Sequence, residues 1–178
     1  MANKIFNTDK RIKLGVWGLG RGGDLIACCK ALNIDVVAGC DFNEHIRENF
    51  RKHAPDVFLT ADEDEFLAQD MDAVLVATWF MDHAKHSIKA LNAGKHVMCE
   101  VTSFYTPAEA VALVEAVEKS GKVYNLLENY PFMKPNMIAK KLWDDGLFGE
   151  FLYGEYDYNH DCRVLSYAYI DGTPVQPG

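Results

Sequence analysis

Short apolar runs alternate with helix-period segments along most of this chain, and that alternation restricts its fold more than any other feature. "IKLGVW" (12–17), "IDVVAGCD" (34–41), Val57–Thr60, "AVLVAT" (73–78), "HVMC" (96–99) and "VYNLLE" (123–128) have the length and composition of strands. Between them lie segments expected to be helical: about Arg21–Leu32, about Asn43–His53, a short helix opened by "ADEDEF" (61–66), and about His83–Ala93, closed by Gly94. "YTPAEAVALVEAVEKSG" (105–121) carries a full set of helix signals. Thr106 can cap it, Pro107 suits its first turn, and Gly121 ends it. A last helix is expected over "PNMIAKKLWDDG" (135–146). Strand–helix–strand repeats require crossover connections that set neighbouring strands parallel. The expected fold class is therefore α/β, a doubly wound parallel sheet with helices on both faces.

The pattern changes near Leu147–Gly149. "GEFLYGEYDYNHDCR" reads as a strand (about 149–160) rich in tyrosine and acid, with no crossover helix after it. "DGTPVQPG" then has linker chemistry. The expected division is a nucleotide-binding domain over 1–148 and the start of a truncated second domain over 149–178. A lone strand exposing Phe151, Tyr153, Tyr156 and Tyr158 invites pairing with another chain, so a homo-oligomer formed through this second sheet is one expectation for the full-length protein.

Composition narrows the partners. With 18 basic and 26 acidic residues the net charge is −8, which argues against nucleic acid or an anionic membrane surface. No segment has about 18 consecutive apolar residues, and the amino terminus lacks a signal-peptide core. The five cysteines (Cys28, Cys29, Cys40, Cys99, Cys162) are odd in number and contain no C-x-x-C, as expected of reduced thiols in a cytoplasmic protein. His83 and His86 in "HAKH" have a spacing that can bind metal, but no third ligand stands at a matching offset and no metal is expected. His45, His53 and His96 read as surface or packing residues.

"GLGRGG" (18–23) satisfies G-x-G-x-x-G, follows a strand and opens a helix, with Asp41 about 20 residues on at the end of the next strand. That context makes the parallel sheet Rossmann-type and the ligand a dinucleotide. Gly18 would permit the tight turn, Gly20 the approach of backbone to pyrophosphate, and Gly23 the close contact of helix and strand. The first free N–H groups of the helix, around Leu19 and Arg21, would face the phosphates. Asp41 would accept from the adenosine-ribose hydroxyls and repel a 2′-phosphate, favouring NAD over NADP. It can also cap the next helix. Asp41→Ala is expected to lose cofactor discrimination more than stability.

"GLGRGG", "CD" (40–41), "ATWFMDHAKHSIKALNAGKHVMCEVTS" (77–103) and "LLENY" (126–130) together resemble the glucose–fructose oxidoreductase / inositol dehydrogenase / MocA-like (Gfo/Idh/MocA) family. The resemblance covers about residues 12–163. It implies an N-terminal NAD(P)-binding domain, a C-terminal α/β domain with an open sheet, and oxidation of a sugar or polyol hydroxyl. Two departures stand out. The family's usual Glu-Lys-Pro is here Glu100-Val101-Thr102, which removes the lysine that relays a proton beside the nicotinamide. The usual Thr-Pro-Asn is here Thr78-Trp79-Phe80.

The Glu-Val pair, the aromatic segment before His83, Glu128-Asn129 and "YNHDCR" (158–163) look most like the NAD-dependent α-N-acetylgalactosaminidase-like glycosidases. In that branch a ring hydroxyl is oxidised transiently, the neighbouring C–H becomes acidic, the glycosidic group is eliminated, water adds, and the hydride returns. The resemblance implies NAD contacts from Gly18, Leu19, Gly20, Arg21, Gly23, Asp41, Thr78, Trp79, Phe80, His83, Glu100, Val101 and Asn129. It also implies catalytic roles at the carbohydrate for Tyr158 and His160, whose positions two apart on a strand share a face. A free tyrosine titrates near ~10, so Tyr158 would need a cationic neighbour such as Arg163 or the nicotinamide. For His83, a role beside the cofactor and one at the helix start both remain open. A net sugar or polyol dehydrogenase and a non-catalytic NAD-binding module are the alternative functions.

Overall fold

Six strands form one all-parallel sheet in the computed structural model, which describes residues 8–159, 161, 168–170 and 173–175. They are β1 (Ile12–Trp17), β2 (Ile34–Cys40), β3 (Phe58–Thr60), β4 (Ala73–Val76), β5 (His96–Cys99) and β6 (Tyr124–Leu126), in the order β3-β2-β1-β4-β5-β6. This is the Rossmann order, and the chain reverses direction across the sheet between β1 and β4. A crevice opens at such a point beyond the carboxyl ends of the strands.

The sheet is buried on both faces, so β4 is apolar at every position. Side chains of alternate strand residues point to opposite faces. Val74 and Val76 accordingly join one core with Trp17, Phe66, Leu91, Val97 and Cys99. Ala73 and Leu75 join a second core with Leu14, Val16, Leu19 and Phe50.

The helices are α1 (Leu19–Leu25), α2 (Glu44–His53), α3 (Glu63–Leu67), α4 (His83–Asn92), α5 (Pro107–Ser120) and α6 (Lys134–Asp144). Local chemistry sets their ends. Thr106 and Glu109 form a reciprocal capping box at α5, and Gly121 closes it in the left-handed conformation (φ 62°). Asp62 accepts from the N–H groups of Asp64 and Glu65, so the acidic run around it does open a helix. The first helix departs from expectation. It begins at Leu19, ends after seven residues, and tightens into a 3₁₀ stretch, Ile26–Leu32. Three glycines, a β-branched isoleucine and paired cysteines are weak helix formers, so little holds α-geometry there.

Contacts divide the chain into Met1–Tyr130 and Pro131–Gly178, earlier than the composition change near residue 148. In the second unit α6 buries no residue, and Trp143 meets Phe151 edge-on with ring centroids 5.7 Å apart. The strand expected over about 149–160 is not formed: residues 151–159 are irregular and exposed. An isolated strand has no neighbour to take its backbone hydrogen bonds. An antiparallel pair instead joins β7 (Ala168–Ile170) to β8 (Thr173–Val175), where a linker was expected.

Candidate functional site

The carboxyl ends of β1, β2, β4 and β5 converge because backbone bonds tie each strand end to its neighbour. Gly18 N–H donates to the Cys40 carbonyl (2.8 Å), Ala77 N–H to Trp17 (2.8 Å), and Glu100 N–H to Val76 (2.8 Å). The glycine loop, Asp41, Thr78–His83 and Glu100–Val101 therefore share one edge of the sheet.

Gly18 is the residue on which this edge turns. Its φ is +91°, and a Cβ there would collide with the Ala77 carbonyl. The other glycines divide the work differently from expectation. A Cβ at Gly22 would lie 2.5 Å from Val16 Cγ1, so Gly22 brings α1 against β1. A Cβ at Gly23 would meet Phe50 of α2 at an ordinary 3.6 Å, which corrects the role assigned to it. Around Gly20 there is room: an added Cβ meets only Ile46, at 3.9 Å.

Asp41 is buried, with 8% of its surface exposed. Its Oδ2 accepts from the Leu19 N–H at the start of α1 (2.9 Å), and its Oδ1 from the Asn43 N–H (2.9 Å). Its own carbonyl accepts from Arg47 Nη1 (2.6 Å). The cap of α2 is Asn43, whose side chain accepts from His45 N–H (3.0 Å). Asp41 thus fixes the glycine loop to the end of β2 rather than capping the helix. With Leu19 N–H engaged, Gly20 and Arg21 carry the remaining free donors of the first turn.

Arg21 and Glu100 span the crevice. Arg21 Nε donates to Glu100 Oε1 (2.7 Å), and Glu100 Oε2 accepts from the Val101 N–H (3.1 Å). The Arg21 side chain is largely exposed and that of Glu100 mostly buried, so the pair crosses from solvent to protein. Sequence reasoning named both residues but not their pairing, since 79 positions separate them.

Trp79 and Phe80 lie exposed at the end of β4, ring centroids 4.4 Å apart. Thr78 is half-buried, and its Oγ1 is 2.8 Å from His86 Nδ1. His86 in turn stacks on Trp17, with centroids 4.3 Å apart, and burial lowers its pKa from the usual histidine value. His83 is 1% exposed, and its two ring nitrogens face the Thr102 and Thr78 carbonyls. Both histidines of "HAKH" are thus engaged inside the fold, and among the described residues no group of three or more metal-ligating side chains occurs. Val101 is exposed and Cys99 buried behind it. Cys40, also behind the edge, has its thiol pushed up to about 12, chiefly by burial.

Asn129 is exposed, beyond the end of β6. Tyr158 belongs to the second unit, in the exposed irregular stretch, and His160, Cys162 and Arg163 lie outside the described residues. No helix among the described residues is long and apolar enough to cross a membrane.

Comparisons with known proteins agree with this geometry. Residues 12–127 match an oxidoreductase family with an NAD-binding Rossmann fold, Gfo/Idh/MocA. A glycosyl hydrolase family 109 protein from Solibacter usitatus is 29% identical over 94% of this chain and 42% of its own length. An alpha-N-acetylgalactosaminidase from Tannerella forsythia is 30% identical over 80% of this chain and 34% of its own. The structure of scyllo-inositol dehydrogenase from Lactobacillus casei, with bound NAD(H) and scyllo-inositol, superposes with a TM-score of 0.72 at 25% identity, covering 79% of this chain and 43% of that one. The chain thus spans about two fifths of the length of the first curated relatives it matches.

Proposed function

The chain belongs to the Gfo/Idh/MocA family of oxidoreductases with an NAD-binding Rossmann fold, and from that premise we propose that it is the cofactor half of an enzyme acting on a carbohydrate by a redox-neutral, glycosidase-like cycle. The observation that carries this reading is Val101. It sits exposed at the end of β5, beside Glu100, where the family's dehydrogenases have a lysine that relays a proton. An isopropyl group neither accepts nor delivers a proton, so the hydroxyl proton must go to another base. The named α-N-acetylgalactosaminidase relative supports the same branch.

The residues present fit a dinucleotide. The open space at Gly20 admits pyrophosphate against backbone, where the Gly20 and Arg21 N–H groups donate. Asp41 is held at the ribose end by two backbone N–H groups, leaving lone pairs on both carboxylate oxygens for hydroxyls. Arg21 can exchange Glu100 for a phosphate oxygen. Thr78, Trp79, Phe80, Glu100, Val101 and Asn129 would line the nicotinamide end. NAD⁺, when bound, supplies a hydride acceptor. Tyr158 and His160 are proposed to face the sugar, one holding the proton that the hydroxyl loses.

Titrating the chain with NAD⁺ and NADP⁺, read by the fluorescence of exposed Trp79, tests the cofactor half of the proposal. NAD⁺ is expected to bind at least about tenfold tighter, roughly 1.4 kcal/mol. Equal or tighter NADP⁺ binding would remove Asp41 as a ribose ligand. The chemical half is tested on the native gene product with NAD⁺ and a nitrophenyl N-acetyl-α-galactosaminide. Aglycone release without accumulating NADH supports it, and stoichiometric NADH from a free polyol would establish the dehydrogenase alternative.

A further inference from the structure

His83 occupies an unusual position for a buried histidine. It opens α4 with only 1% of its surface exposed. Its Nδ1 lies 2.8 Å from the Thr102 carbonyl oxygen, and its Nε2 lies 3.1 Å from the Thr78 carbonyl oxygen. Both carbonyls are acceptors only, and the Cys99 thiol, which also lies within hydrogen-bonding reach of the ring, has its one hydrogen engaged on the Glu100 carbonyl (3.1 Å). A neutral imidazole carries one N–H, so it can satisfy one of these carbonyls and must set a lone pair against the other. Only the imidazolium, with two N–H groups, donates to both.

The two carbonyls belong to different loops of the crevice. Thr78 precedes the Trp79-Phe80 pair beyond β4, and Thr102 follows Glu100-Val101 beyond β5. Other bonds already hold the second loop on its far side. Arg21 binds the Glu100 carboxylate, and Cys99 Sγ donates to the Glu100 carbonyl (3.1 Å). His83 adds the tie to the first loop.

The geometry points to His83 as a positioning residue: a buried imidazolium that clamps the β4 and β5 loops at the separation the nicotinamide end of the cofactor requires. On this proposal His83 needs no contact with the cofactor. It would act through the two carbonyls, a third role beside a contact at the cofactor and a role at the helix start. The inference rests on the NAD reading above for what the loops hold, but not for the protonation state of the ring.

Few charged groups face the ring. Cys99 approaches it from β5, and on its own helix His86 stands one turn along. Asp82, Lys85 and, from α3, Glu63 act on His86. Burial opposes the charge on His83, while Cys99 and the two carbonyls favour it, and the balance raises its pKa above the ordinary histidine value. Both carbonyl bonds are therefore present at low pH, and one is lost as pH rises through the folded pKa.

Two measurements test the clamp. The first is the ring nitrogen spectrum of the ¹⁵N-histidine-labelled chain without cofactor, with His83 assigned by backbone correlation. Both nitrogens are expected to be protonated at pH 6, and a pyridine-type nitrogen on His83 at that pH would overturn the proposal. The second is NAD⁺ affinity from pH 6 to 9 for the wild type and His83→Asn, whose amide cannot donate to both carbonyls. Wild-type affinity is expected to fall about tenfold as pH rises. His83→Asn should be about tenfold weaker at pH 6 and flat across the range. A variant that binds like wild type, or keeps the slope, sinks the proposal. If the wild type bound no NAD⁺ at any pH, the cofactor reading would fail, while the nitrogen spectrum would still decide the state of His83.

Discussion

Asp41 has a structural purpose beside the ribose contact proposed for it, and this changes what its removal should do. Because its oxygens already hold the Leu19 and Asn43 N–H groups, Asp41→Ala leaves two backbone donors at a mostly buried site. A lost hydrogen bond to a charged acceptor costs about 1.5–3 kcal/mol. The variant should therefore lose substantial stability as well as cofactor discrimination, whereas the sequence led to the expectation that discrimination would suffer more than stability. Urea denaturation checks this: the midpoint should drop with the slope unchanged. His86 gives a second prediction at this scale. Burial holds its folded pKa below the unfolded value of about 6.5. Its contribution is therefore complete above about pH 6.5 and lost as pH falls through the folded pKa. His86→Gln should flatten the acid side of a stability–pH profile measured between pH 7 and 5. His83, with its raised pKa, runs the other way: its contribution is present below about pH 6.5 and lost as pH rises.

The first crossover, β1 to β2 through α1, depends on a close contact between strand and helix at Gly22. Gly22→Ala puts a methyl 2.5 Å from Cγ1 of Val16, which is fully buried. Overpacking of this kind costs about 1–3 kcal/mol. Gly23→Ala meets Phe50 at 3.6 Å and gains helix propensity, so it should be neutral or stabilising by up to about 1 kcal/mol. Thermal midpoints of the two variants, measured side by side, separate these roles. The reverse ranking would assign the strand contact to Gly23.

At the scale of the whole molecule, stability and ligand binding are linked through Met1–Tyr130, which contains the sheet. A ligand that binds only the folded state at a hundred times its Kd adds about 2.7 kcal/mol. For a unit of this size the melting temperature should rise by on the order of 10 °C. NAD⁺ should produce that rise in a dye-monitored melt, and NADP⁺ at the same concentration a much smaller one. Surface ion pairs such as Arg11–Asp35 contribute little, because both partners are half exposed and water screens them. Adding salt should leave the unliganded midpoint nearly unchanged.

What was legible in the sequence is what local chemistry decides. The six strands, the capping box at Thr106, the turn at Gly18 and the carboxylate ending β2 follow from periodicity, capping and steric rules that act over a few residues. These suffice for a doubly wound sheet and a dinucleotide loop. Pairings across long separations were not legible. Arg21 meets Glu100, His83 bridges Thr78 and Thr102, and Gly22 rather than Gly23 faces β1, because each depends on how strand ends and helices come together in space. The stretch beyond residue 149 fails for the related reason. Its residues have the composition of a strand, but a strand exists only where a neighbour accepts its backbone hydrogen bonds, and composition carries no information about that neighbour.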